Sequence, residues 1–193
     1  RGLFQKYLHS GGIPEHIKHG QTDYLRALYE SILYRDIIVR YNIQTDAVIK
    51  KLVFFLASNC SKETTYNALR KALDIGSATT ISNYCSYLES SYLCFFVSRY
   101  SDSVKSQLTS PKKVYFIDHA IVRTLGFRFS EDFGRMLENI VFIELKRRQF
   151  EVYYHREQKE CDFIVRQGPN TVSAIQVCQH LSDSATKKRK VDG

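Results

Sequence analysis

The stretch ETTYNALRKALDIGSATTISNYCSYLESSYLCFFV, residues 63–97, decides how the first half of this chain is read. At its centre stands a short turn, Asp74-Ile75-Gly76-Ser77. Before the turn, Glu63 to Leu73 reads as a helix that Ser61 or the residue beside it would cap, because a hydroxyl there accepts an orphan backbone N–H. Gly76 is expected to supply the left-handed residue that ends it. A further helix starts at Ser77 or Ala78, with Ile81, Tyr84, Tyr87 and Leu88 on its inward face. Tyr92 to Val97 is apolar and β-rich, so it reads as a strand. Upstream, Ala47, Val48, Leu52, Phe55 and Leu56 mark another helix. Helix, helix, turn, helix, strand is the order of a winged helix-turn-helix, expected over 44–104.

In such a motif the third helix enters the DNA major groove and its early residues meet base edges. Here the outward candidates are Thr79, Thr80, Ser82 and Asn83. Arg70 and Lys71 on the preceding helix, with Arg99 and Lys105 around the wing, are the candidates for phosphate contact. The third helix carries no Lys or Arg, which leaves open a protein-docking role for the same module.

On the N-terminal side, Gly11-Gly-Ile-Pro14 is a turn, and Asp23 to Tyr41 is a helical stretch. Its residues Leu25, Leu28, Ile32 and Leu33 recur at three- and four-residue steps, so 1–43 reads as a helical connector. On the C-terminal side, the polar segment Ser101 to Lys113 with Pro111 reads as a linker. Val114 to Asp118 is then a strand ending on an acid, and Asp132 to Gln149 a long amphipathic helix closed by Lys146-Arg147-Arg148. Three strands follow, Glu151–His155, Cys161–Arg166 and Val172–Cys178, the last two joined by the turn Gln167-Gly-Pro-Asn170.

Within these elements Glu138, Asp162 and Gln176 stand in apolar surroundings, where polar oxygens are costly unless paired or bound to a cation. Two carboxylates and an amide oxygen form a donor set suited to Mg²⁺ or Mn²⁺, cations that assist phosphoryl chemistry. Strand alternation alone does not bring Glu138 beside Asp162.

Bulk composition narrows the classes. The 193 residues are 44% hydrophobic and 25% charged, which suits a packed globular chain and excludes a disordered one. Twenty-eight Lys and Arg against 20 Asp and Glu give a net charge of +8, which makes a polyanion a sensible partner. The five cysteines, at 60, 85, 94, 161 and 178, have no CxxC spacing and read as reduced thiols. The longest apolar run, Leu52 to Ala57, is too short to span a bilayer, and no signal peptide opens the chain, so a cytoplasmic location and no membrane partner are expected.

Several phrases together resemble a known family. They are Gly11-Gly-Ile-Pro-Glu15, Tyr34-Arg-Asp-Ile37, Ser82-Asn-Tyr84 with Leu88-Glu89, Lys113-Val-Tyr-Phe-Ile-Asp118, Leu137 to Leu145, Val152-Tyr-Tyr-His155, Asp162-Phe163 and Ile175-Gln-Val-Cys178. Across residues 11–191 they resemble the C-terminal region of prokaryotic AAA-type (archaeal) ATPases with a DUF4143-like segment. The resemblance implies an α+β chain truncated at both ends, with a winged helix followed by a PD-(D/E)XK, restriction-endonuclease-like α/β module over 105–193. It also implies a missing N-terminal ATPase domain as partner, and ATP only through that domain, since no GxxxxGK[ST] motif occurs here.

Carried over, Glu138 matches the helix acid of the nuclease site, Asp162 the strand acid and Gln176 the variable Glu/Gln. The lysine of that site falls on Cys178, and a thiol supplies no cation. Lys159 or another lysine would have to serve. The run Lys187-Lys-Arg-Lys190 reads as the first turn of the module's second helix. The resemblance thus implies a DNA-associated effector region of an ATPase, nuclease-like in fold. With that lysine absent, a nuclease-like fold retained for binding without hydrolysis is one reading of the region, and the other alternative is a non-enzymatic protein-interaction or homo-oligomerisation region.

Overall fold

Two threonine and serine hydroxyls set where the central helices begin. Thr65 is extended and its side chain accepts the Ala68 N–H at 3.1 Å, so the helix starts at Tyr66, while Glu63 and Thr64 form a strand. The expected cap at Ser61 is therefore displaced by four residues. Ser77 caps the next helix by accepting the Thr79 N–H at 3.2 Å. Between them the left-handed residue is Asp74 (φ 53°) and not Gly76. An aspartate tolerates that conformation, and the Ile75 N–H closes the helix end on Arg70 O at 2.9 Å.

The computed structural model describes residues 2–20, 22–126, 133–157 and 160–178. In chain order they form α1 (Gly2–Ser10), α2 (Pro14–His19), α3 (Thr22–Ser31), a π-helical segment (Ile32–Val39), α4 (Asp46–Ser58), β1 (Glu63–Thr64), α5 (Tyr66–Ala72) and α6 (Ala78–Ser90). There follow β2 (Cys94–Ser98), α7 (Val104–Thr109), β3 (Lys112–Phe116), α8 (His119–Leu125), α9 (Phe133–Arg147), β4 (Glu151–Arg156), β5 (Glu160–Gln167) and β6 (Asn170–Ile175). The architecture is mixed α and β, with two antiparallel three-stranded sheets ordered β1-β3-β2 and β4-β5-β6.

The expected linker at 101–113 is a helix, α7, followed by the start of β3, and β3 pairs with β2 from Lys112 to Phe116. The boundary expected at 104/105 falls in the first turn of α7, between the paired strands β2 and β3. β3 is its middle strand, and period-2 alternation sends its two faces into different cores. Cys94, Val114 and Phe116 join the helices of the first half, whereas Val97 and Tyr115 pack with Phe142, Tyr154 and Phe163. Buried Ile49, Leu52, Val53, Leu56 and Ala57 line the inner face of α4; of the expected set Leu52 and Leu56 are buried, Val48 and Phe55 half-buried and Ala47 exposed.

The two sheets also touch directly, since the Tyr100 N–H donates to Tyr154 O at 2.7 Å. Among the described residues no helix is long and apolar enough to cross a membrane.

Candidate functional site

Alternation along β3 puts Lys113 on the same face as Tyr115, turned toward α9. Lys113 Nζ donates to Glu138 Oε1 at 3.1 Å and to Asp162 Oδ1 at 3.3 Å. All three side chains are withdrawn from solvent, at 5%, 12% and 7% exposure. The Tyr115 hydroxyl donates to the same Glu138 oxygen at 2.6 Å. On the other side, Asp162 Oδ2 accepts the Val177 N–H at 2.9 Å, and Gln176 Oε1 accepts the Asp162 N–H at 3.1 Å. Glu160, half exposed, lies 3.9 Å from Lys113 Nζ at the rim.

Glu138, Asp162 and Gln176, separated in sequence, thus line one cleft of about 310 Å³ together with Ser61, Lys113, Arg135 and Glu160. Sequence reasoning found the first three and missed Lys113, Tyr115 and Glu160. The signal for Lys113 was present in the alternation Lys-Val-Tyr-Phe, which becomes informative once 112–116 is a strand.

Burial sets the electrostatics. Desolvation raises the Glu138 pKa, opposed by the charge of Lys113. Burial alone would pull Lys113 down, but the charges and hydrogen bonds of Glu138 and Asp162 outweigh it, so the ammonium is held above its ordinary value. Burial, then Glu138, pushes the Tyr115 phenol well up, so it stays a donor. A buried carboxylate pair needs a compensating cation, and here Lys113 supplies it.

The oxygen donors are of the kind a hard divalent cation takes. As they stand, however, the ammonium lies between the two carboxylates, and no three His, Cys, Asp or Glu side chains among the described residues form a metal-holding group. Lys159, His180 and Lys187 to Lys190 lie outside the described residues. Cys178 is partly buried, and all five cysteines are free thiols.

The candidates for DNA contact are more scattered. Thr79 and Asn83 on α6, Lys71 on α5 and Lys105 on α7 are exposed, with Thr80 and Ser82 half-buried. Arg70 turns back, its Nη1 3.5 Å from Ile75 O. Arg99 likewise donates to Arg156 O at 3.4 Å and to Ser106 Oγ at 3.5 Å.

A family model described as a domain of unknown function (DUF8612) matches residues 1–132, ending just before α9. Uncharacterized protein MJ1544 of Methanocaldococcus jannaschii is 31% identical, over 96% of this chain and 44% of that protein. An uncharacterized protein of Haemophilus influenzae is 28% identical, over 94% of this chain and 47% of its own length. A third, MJ1637 of M. jannaschii, is 24% identical over 83% and 37%. The chain spans less than half the length of these relatives. No solved structure matches. These findings correct the resemblance drawn from the motif phrases: the matching family is DUF8612 and not a DUF4143-like one, and the relatives indicate no AAA-type ATPase parent.

Proposed function

We propose, from the premise that the chain belongs to the DUF8612 family, that it is a DNA-associated protein whose nuclease-like cleft hydrolyses phosphodiesters with a divalent cation. The observation that carries this reading is the convergence of Glu138 on α9, Asp162 on β5 and Gln176, the residue after β6, on one cleft. Support for a winged helix in the first half comes from the order α4-β1-α5-α6-β2-β3 with strands arranged β1-β3-β2. Support for a PD-(D/E)XK-like second half comes from α9 packed against β4-β5-β6 with the acids at their junction.

Mg²⁺ or Mn²⁺ bound through Glu138, Asp162 and the Gln176 amide would polarise a phosphoryl oxygen and acidify a water. The chain's own residues do the rest. Asp162 is oriented by the Val177 N–H and Glu138 by the Tyr115 hydroxyl, so both carboxylates are fixed before substrate arrives. In the reaction a water oxygen bonds to phosphorus and the bond from phosphorus to one bridging oxygen breaks. The leaving oxygen takes a proton, and the proton lost by the water passes to solvent.

A second reading, a non-enzymatic protein-interaction or oligomerisation region, is favoured by two features. α6 bears no cation, and Arg70 and Arg99 are turned onto the protein's own backbone. Salt separates the two. Fluorescence anisotropy of labelled duplex, single-stranded and branched DNA, with Mg²⁺ present, should report binding that weakens roughly tenfold or more from low to moderate salt if several phosphates are held. Absence of binding to all three at low salt would contradict DNA association and leave the protein-interaction reading.

A further inference from the structure

We infer that the apolar hollow between α9 and the β5–β6 side of the second sheet is where two copies of this chain associate. Leu3 of each copy enters the hollow of the other about a twofold axis. This goes beyond the DNA reading and does not rest on hydrolysis at the cleft; it gives the oligomerisation reading a surface.

The hollow measures about 400 Å³. Ile140 and Val141 of α9 and Phe150 line it half-buried, and Phe4 of α1, 47% exposed, closes one side. The edge strand adds to it through an irregularity. Val165 pairs with Ser173 while Arg166 pairs with Thr171, so Val172 is an extra residue on β6. A bulge of this kind re-aims a side chain, and here Val172 and Ser173 both line the hollow. Strict alternation would have sent one of them to the opposite face of the sheet.

Val172 stays 53% exposed, and Leu3, the neighbour of Phe4 on α1, is 84% exposed. Apolar side chains gathered on one open patch mark an interaction surface. Leu3 also stands on a fixed support, because the far end of α1 is tied to α8. His119 Nε2 bonds to Tyr7 O at 2.9 Å, and Arg123 Nη1 donates to His9 O at 2.5 Å.

Two features select a second copy as the occupant. The same patch carries a projecting side chain, Leu3, and a hollow that accepts one, and a twofold contact requires such self-complementarity. The other feature is charge. At a net +8, two copies repel each other over most of their surface. The charged residues lining the hollow are one acid and one base, Glu144 and Arg148, 2.7 Å apart, so two copies meet there without excess of either sign. A polyanion finds no surplus of cations at this patch.

Sedimentation equilibrium of the 193-residue chain from roughly 1 to 100 µM tests the inference, over the range where modest interfaces dissociate. The mass should rise from 22.5 kDa toward twice that value. Leu3→Asp and Val172→Asp should each weaken association about tenfold or more, as expected for anchors of a small interface. Both side chains are exposed in the single copy, so circular dichroism should show the fold unchanged. Lys51→Asp, on the exposed side of α4, should associate like the wild type. Added salt should leave the dimer intact or tighten it, since it screens the repulsion between copies.

A mass fixed at 22.5 kDa throughout overturns the inference, as does a dimer that both substitutions leave intact. A mass that climbs past two copies contradicts the twofold arrangement. DNA binding and nicking by the same samples keep the readings apart. A monomeric wild type that nicks DNA overturns the interface alone, whereas a dimer sensitive to Leu3→Asp that leaves DNA intact supports the interface and contradicts hydrolysis.

Discussion

Asp118 shows how one side chain can tie distant segments together. Its Oδ1 accepts the Ala120 N–H at 2.7 Å and caps α8, while Oδ2 accepts the Gly12 N–H at 2.6 Å. Gly11, at φ 76°, lies so close that a Cβ there would meet the Asp118 carboxylate and sit 2.6 Å from the Ala120 Cβ. The Gly11-Gly-Ile-Pro turn and the strand ending on an acid were both legible in the sequence. Their contact was not, because 106 residues separate them. Beside Asp118, the buried His119 donates from Nε2 to Tyr7 O at 2.9 Å and Leu8 O at 3.1 Å, which fixes the neutral tautomer.

Burial lowers the His119 pKa, against a raising effect of Asp118. The unfolded state, with an ordinary histidine pKa of about 6.5, therefore binds more protons as pH falls through that value. Stability should be full above about 6.5 and decline below it as pH falls toward the lowered folded-state pKa. Thermal melts from pH 7 to 5 should show this decline flattened in His119→Gln. An equal decline in both would place the acid sensitivity elsewhere.

Helix ends explain what the sequence hid at the next scale. Among the described residues, four helical segments close on a left-handed residue that is not glycine: Asn42, Asp74, Tyr92 and Gln149. At each, the following N–H reaches back five residues, as Leu93 N–H does to Leu88 O at 3.1 Å. Glycine is the usual marker for such an end, so the sequence points to Gly76, whereas the left-handed residue is Asp74. Likewise, Ser101 to Lys113 read as a linker because its polar residues form α7 and the start of a strand whose apolar part begins only at Val114.

The join between α9 and β3 is also invisible to periodicity. Asn139, 1% exposed, accepts the Phe116 N–H at 2.8 Å and donates to Phe116 O at 2.9 Å, as a further strand would. Asn139→Ala leaves two buried backbone groups without partners, a cost of about 2–4 kcal/mol in unfolding free energy. Urea denaturation checks it, and a loss below about 0.5 kcal/mol would mean that the groups find water instead.

Over the whole molecule, the apolar pattern disclosed most elements, since helix and strand periods are local properties. The pairing of the sheets was not local. β3 buries both faces, one on the helices of the first half and one on α9 and the second sheet. A strand buried on both sides reads as a continuous apolar run, so the sequence does not say which neighbour covers which face. That is why Glu138 and Asp162 could be named from the chain while Lys113, which joins them, could not.

Nicking of supercoiled plasmid in Mg²⁺, wild type against Asp162→Asn at equal concentration, tests the central claim most directly. Wild-type nicking that Asp162→Asn and chelation both abolish is the predicted result. Asp162→Asn nicking at the wild-type rate, or a wild type that binds DNA and leaves it intact with Mg²⁺ or Mn²⁺, would contradict hydrolysis at this cleft.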